Sequence, residues 1–407
     1  MKKEELMEAI GMIDDLYLLQ AQTYRDTTQI SHKKIYAAWL KTAIACIVVL
    51  FVSINVFYTN GLIQEQSVDQ PSISQTSKLP TITLNDLASD SFGYPIEQCL
   101  SPSDFVNGNP WNETLSISSL PVFQNNLTYD AQYRVSGYSI DNMKKELFNV
   151  ADRLNIPSEQ LQIQMDCTPY YAFIQTENET CEISVDHALR TQITFKNGIL
   201  LPKDLQSLSL NNYENNLKIA EYIQTAYADL INMQNPQIDV NGGGCDIYGD
   251  RMYNISFYDK GETTEESILN YNFRTVDFFV EDGRLLIVTF HHTDLSSYIA
   301  NYPIISVDEA TELLQKGNYL TSIPAGLIKD DASIAKVELI YRHDEPAQYS
   351  PDHLVYFAPY YCFTIEVKKE AQAEGATSYG NYYVPAISKE YIDTMPLNGS
   401  IPTTNKK

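Results

Sequence analysis

Apolar side chains return at helical spacing near the start of the chain. Leu6, Ile10, Ile13 and Tyr17 follow i, i+4, i+7 and i+11, with Glu5, Glu8 and Asp15 between them, so residues 1–36 read as a tail with one apolar helical face. Gly11 costs that helix about 1 kcal/mol relative to Ala. So short a helix is marginal alone in water, which makes Leu6, Ile10, Ile13 and Tyr17 candidate partner-binding residues. Over residues 37–58 the polar positions vanish: AAWLKTAIACIVVLFVSINVFY holds one charge, Lys41. Its length suits the roughly 20 helical residues that cross a bilayer core, with Tyr36, Trp39, Phe57 and Tyr58 toward the ends where interfacial aromatics sit. The pattern predicts a transmembrane helix over 37–58. The apolar run begins late and no small-residue cleavage site follows, so the helix reads as an uncleaved signal-anchor. Residues 59–92, rich in Ser, Thr, Gln and Pro, read as an extended stalk.

Beyond residue 92 the pattern switches between periods. Helices are expected over 140–154, ended by Pro157, over 213–233, and over 307–316, where Ser306 and Glu309 form a capping-box signature. Strands are expected over 170–175, 182–185, 192–201, 245–258, 274–292, 336–342, 354–367 and 381–387, with hairpin turns at Asn197-Gly198 and Asp282-Gly283. ITFKNGILLP and FFVEDGRLLIV look alike as strand, turn, strand units. The expected fold is therefore α+β: a single transmembrane helix followed by an ectodomain of two helix-on-antiparallel-sheet lobes, 93–235 and 236–407.

Charge sharpens the division. The 407 residues carry 28 Lys+Arg against 52 Asp+Glu, a net charge of −24. In residues 1–36, Lys2, Lys3, Arg25, Lys33 and Lys34 nearly balance Glu4, Glu5, Glu8, Asp14, Asp15 and Asp26, and Lys41 cancels the remainder. The acidity thus belongs to the part beyond residue 58, which argues against nucleic acid and favours cations or basic peptides as outer ligands. Lys33, Lys34 and Lys41 precede the expected span while Glu65 and Asp69 follow it. By the positive-inside rule this predicts a cell-membrane protein with its N-terminus cytoplasmic and its C-terminus extracellular. Six cysteines are present, with Cys46 in the expected span and no C-x-x-C pair. A single bridge such as Cys167–Cys181 is open from sequence but not required. Sequons begin at Asn112, Asn126, Asn178, Asn254 and Asn398.

The run EELMEAIGMIDDLYLLQAQTYR, followed by a basic patch and AAWLKTAIACIVV, resembles the N-terminus of single-pass membrane proteins of clostridia and related Gram-positive bacteria, many uncharacterised and some described as anti-sigma-factor-like regulators. The matching positions are Glu8, Ala9, Ile10, Gly11, Ile13, Asp14, Asp15, Tyr17 and Ala21, and the resemblance covers residues 1–58. The zinc-type pattern of a His followed by C-x-x-C is absent, and His32 and Cys46 do not supply it. Residues 302–390 are similar to the outer domains of PepSY-type and YycH/YycI-like regulatory proteins, through Pro303, Ile304, Ala310, Tyr356, Pro359, Tyr361, Phe363, Val384, Pro385, Ala386 and Ile387. That likeness implies an extracytoplasmic regulatory or inhibitory module rather than an enzyme.

Catalytic chemistry is scarce. There is no G-x-S-x-G, H-E-x-x-H, Walker A or EF-hand pattern, and Gly242-Gly243-Gly244 reads as a turn rather than a phosphate cradle because no helix signal follows. His291 and His292 end a strand and point to opposite faces, so one of them at most can pair with Asp294. No catalytic, cofactor-binding or metal-ligating residue is assigned and no cofactor is expected. Tyrosine is plentiful, 29 in all, and Tyr356, Tyr360, Tyr361, Tyr382 and Tyr383 form a candidate surface for a basic or extended peptide, taken by adding a strand to a sheet. The leading expectation is a membrane-anchored regulatory protein. Its acidic ectodomain would bind an envelope ligand such as a peptide or cation, and its inner helix would contact a sigma factor or sensor kinase. The alternative is a tethered extracellular binding or adhesion domain with no signalling role.

Overall fold

Period-two alternation governs most of the chain beyond residue 95, and sheets rather than helices set the architecture. The computed structural model describes residues 79–84, 96–130, 132, 134–169, 171–246, 248–329, 332–342, 355–368 and 373–401; of these, 40% lie in strands and 22% in helices. In chain order the elements begin with β1 (Ile96–Cys99), β2 (Ser119–Gln124), β3 (Thr128–Tyr129), β4 (Val135–Ser136) and α1 (Ile140–Arg153). There follow β5 (Gln164–Cys167), β6 (Ala172–Glu177), β7 (Cys181–Asp186), β8 (Thr191–Leu200), α2 (Tyr213–Ala226) and α3 (Ala228–Ile231). The next are β9 (Pro236–Cys245), β10 (Arg251–Asp259), α4 (Thr264–Phe273), β11 (Thr275–Glu281), β12 (Arg284–Phe290) and β13 (Tyr298–Pro303). Last come α5 (Val307–Gln315), β14 (Ile334–Tyr341), β15 (Tyr356–Phe357), β16 (Pro359–Val367) and β17 (Thr377–Pro385).

An eight-stranded antiparallel sheet dominates, in the order β5-β6-β7-β8-β12-β11-β10-β9. Helices α1 and α2 lie against it. Met143, Leu147 and Val150 of α1 and Ile219, Ala220 and Ile223 of α2 are fully buried with Ile174, Ile183, Ile193, Phe257 and Val288 of the strands. Side-chain caps start these helices. Ser139, Asn212, Thr263 and Ser306 each accept a backbone N–H three residues on, at the heads of α1, α2, α4 and α5, which satisfies an orphan donor at each first turn. A second antiparallel sheet, β1-β17-β16-β14, buries Leu339, Phe363, Ile365, Tyr382 and Val384 against α4, α5 and Trp111. A three-stranded sheet, β13-β2-β15, and the β3-β4 pair complete the topology.

The structure overturns the expected fold class. Strands from both sides of residue 235 share the eight-stranded sheet, so the helices do not mark two helix-on-sheet lobes. The two look-alike units lie side by side in that sheet, one in β8 and the other across β11 and β12: Leu285 of β12 faces Ile199 of β8. One of them is not a hairpin at all. β8 runs unbroken through Asn197-Gly198, with Gly198 at φ +59° beside a register shift between Leu285 and Ile287 of β12, as a bulge requires. At Asp282-Gly283 the hairpin forms as expected, both residues taking positive φ, the type I′ geometry that matches strand twist. Gly242, Gly243 and Gly244 lie inside β9 instead of a turn.

The membrane-anchor reading and the cell-membrane localisation are not supported either. Among the described residues no helix is long and apolar enough to cross a membrane. The expected span over 37–58 lies outside those residues, as does the tail with Leu6, Ile10, Ile13 and Tyr17. The anchor, the signal-anchor reading and the inside–outside orientation rested on one apolar run and on lysine placement, and no folded feature of the described residues supports them.

Candidate functional site

Within the stretch read as a stalk, residues 79–84 pack onto the fold. The local sequence LPTITL explains how. Pro80 needs no N–H partner at the start of an extended segment, and alternation turns Ile82 inward and Thr81 and Thr83 outward. Ile82 is 1% exposed and pairs in parallel with Ile392. Its N–H donates to the Tyr391 carbonyl at 2.8 Å, and its own carbonyl accepts from the Asp393 N–H at 3.0 Å. The Tyr302 hydroxyl donates to the Pro80 carbonyl at 2.9 Å, and Thr83 Oγ1 donates to Asp393 Oδ2 at 2.8 Å. The segment is thus held like a bound extended peptide, through main-chain bonds and one buried aliphatic anchor.

The groove beneath it is a separate apolar cluster. Ile82 packs with Val122, Tyr302, Leu320, Tyr360, Ile387 and Ile392, and Tyr356, Tyr383 and Tyr391 are half-buried at its margin. Three of the five candidate tyrosines, Tyr356, Tyr360 and Tyr383, therefore line this groove. The other two do not. Tyr361 donates its hydroxyl to the Ile305 carbonyl at 2.8 Å, in the core on the opposite face of the sheet, where burial pushes its phenol up to about 12. Tyr382 is fully buried in the same core. Consecutive strand residues point to opposite faces, so Tyr360-Tyr361 and Tyr382-Tyr383 divide between groove and core. Arg342, just beyond β14, adjoins the groove: its guanidinium lies 5.4 Å from the Tyr360 ring centre and 5.6 Å from that of Tyr383. Its Nη1 is buried without a hydrogen-bond partner. Sequence reasoning missed Arg342, Tyr302 and the segment 79–84; the period-two spacing of Ile82 and Leu84 was the available signal.

Elsewhere among the described residues, a hydroxyl, a carboxylate and an imidazole come together. Ser256 Oγ donates to Asp277 Oδ1 at 2.5 Å, and His291 Nε2 meets Asp277 Oδ2 at 2.8 Å. A nucleophile relay needs the imidazole between hydroxyl and carboxylate. Here the carboxylate stands between, and Ser256 is buried. His292 pairs through Nδ1 with Glu146 Oε2 at 3.1 Å, while Asp294, the expected partner, accepts from Asn126 Nδ2 at 2.8 Å. Burial raises the Glu146 carboxyl, but the bond to His292 and the charges of His292, Arg153 and Lys145 outweigh it and leave it below the usual range.

A cavity of about 50 Å³ near the head of α1, lined in part by His187, Asn142 and Asp294, is large enough for a few waters. The side chain of Asp239 is buried and accepts from the Gly108 N–H and Asn241 Nδ2. Among the described residues no group of three or more His, Cys, Asp or Glu is placed to hold a metal ion. Cys99, Cys167, Cys181, Cys245 and Cys362 are free thiols, and β6 separates the strands that carry Cys167 and Cys181.

No protein-family model matches the chain, and no curated protein matches it. Among solved structures, an uncharacterized protein from Eubacterium rectale is similar at 10% identity over 67% of this chain and 84% of that one, with a TM-score of 0.33, too low to carry an argument.

Proposed function

We propose that the folded region is a non-catalytic recognition module for extended peptides, and that residues 79–84 occupy its groove in cis. The observation that carries this reading is the docking of Ile82, by two main-chain hydrogen bonds and near-complete burial. Burying the isoleucine contributes about 1.5–3 kcal/mol, and each of the four hydrogen bonds about 0.5–1.5 kcal/mol. Fixing six backbones costs about 1–2 kcal/mol each. Gain and cost are of similar size, so the segment is poised for exchange with a competing peptide. The wiring of Ser256, Asp277 and His291 favours binding over hydrolysis.

The test uses the full chain with Ile82→Asp, which expels the anchor, and a fluorescent LPTITL peptide. Binding to the variant in roughly the millimolar range, with weaker binding to the wild type, is expected. No binding to either protein would remove the reading.

A further inference from the structure

We infer that Arg342 is the seat of a carboxylate on the peptide that enters the tyrosine-lined groove; this rests on the recognition reading above. The guanidinium is flanked by the faces of Tyr360 and Tyr383, and both rings belong to the groove cluster. Stacking on two rings holds the planar fork in a fixed direction. One donor of that fork, Nη1, is buried with no hydrogen-bond partner, although buried polar groups in native proteins are nearly always paired. The carboxylate of the preceding strand, Glu338 of β14, is already engaged: it meets Lys336 Nζ at 3.1 Å and accepts from Asn107 Nδ2 at 2.5 Å. Among the described residues Arg342 makes no ion pair. The guanidinium engages the Tyr360 phenol but leaves Nη1 without an acceptor, and a planar, charged donor held in this way matches a carboxylate. The occupant is thus an extended peptide with an aliphatic anchor for the Ile82 pocket and an acidic group beside it.

The protein as a whole predicts the opposite preference, which makes the inference sharp. A chain of net charge −24 repels acidic ligands unless a local cation overrides the field. The experiment uses the full chain carrying Ile82→Asp and two labelled peptides, LPTITL flanked at each end by two glutamates or by two glutamines. Fluorescence anisotropy should show the glutamate peptide binding about tenfold tighter, as a charge-assisted hydrogen bond gives. Adding Arg342→Gln should abolish that preference while the glutamine peptide binds as before. Ile82→Ala, which removes the anchor without adding charge, provides a second background if Ile82→Asp does not fold. Equal binding of the two peptides, or a glutamate preference that survives Arg342→Gln, would overturn the carboxylate seat and leave the groove standing. Failure of both peptides to bind would overturn the groove and the seat together.

Discussion

Tyr382 and Tyr383 are neighbours in sequence and lie on opposite sides of one sheet: Tyr382 is fully buried with its hydroxyl unpartnered, while Tyr383 stays half-buried under the Arg342 guanidinium. The pair divides between the core and the groove within two residues.

Tyr382→Phe should therefore be neutral or stabilising. Its hydroxyl has no hydrogen-bond partner, and a buried unpaired polar group carries a desolvation cost of about 1–3 kcal/mol. Thermal denaturation of the full chain checks this: a melting temperature equal to or above the wild type is expected. A clear drop would mean that the phenol has an acceptor after all.

At Ile82 the effect should be local. Ile82→Ala removes most of an anchor whose loss in a packed site costs about 2–5 kcal/mol. Because the segment rests on few bonds, that is enough to release it. The Ile82 and Asp393 amides, which donate across the bridge, should lose hydrogen-exchange protection, whereas amides of β16 keep theirs. Uniform loss across both would show instead that the segment is integral to the fold.

Two glycines provide a controlled comparison. Gly243 has φ +96°, and a Cβ there would stand 1.7 Å from the Asp104 carbonyl oxygen; Gly249 has φ +89° with nothing within 4 Å. Gly249→Ala should cost about 1–2 kcal/mol, for the left-handed backbone alone. Gly243→Ala adds a backbone clash and should cost about 2 kcal/mol more. Urea denaturation of the two variants measures the difference. Equal losses would mean that the contact between β9 and the Asp104 carbonyl yields at no cost.

What was legible in the sequence follows from range. Helix heads were readable because caps act over three residues: Ser306 accepts the Glu309 N–H as the motif implies. The same local chemistry was present for α4, where Thr263 accepts the Glu266 N–H, but ten residues between strands, with little amphipathic contrast, hid that helix. The expected helix over 213–233 breaks at Tyr227, between α2 and α3. Sheet partnership was not readable. Asn-Gly and Asp-Gly carry the same turn preference, yet β8 continues through Asn197-Gly198 because β12 pairs with it on both sides of the bulge. Composition pointed to Tyr356, Tyr360, Tyr361, Tyr382 and Tyr383 together, and only the pleat divides them between groove and core. The occupant, residues 79–84, meets its partner Ile392 across some 310 positions, a separation no local pattern bridges.

Acid sensitivity should localise to His187. The Ala172 N–H donates to His187 Nδ1 at 3.4 Å, so that nitrogen is unprotonated, and Nε2–H donates to the Tyr129 hydroxyl at 3.2 Å. Tyr138 and Tyr171 close around the ring. Burial disfavours the imidazolium and lowers its pKa from 6.5; the charge of Asp186 opposes this, and that of Arg190 reinforces it. The unfolded chain, titrating near 6.5, therefore takes up the proton first as pH falls. The stabilising contribution is fully present above pH 6.5 and is lost as pH drops below it toward the folded pKa. His187→Asn keeps an acceptor for the Ala172 N–H but cannot titrate in this range. Its urea midpoint should be lower at pH 7, because the ring no longer fills its site, yet should fall less between pH 7 and pH 5 than that of the wild type. Parallel declines in the two proteins would assign the acid sensitivity to other groups, since an asparagine at this position removes the only proton that the Ala172 bond excludes.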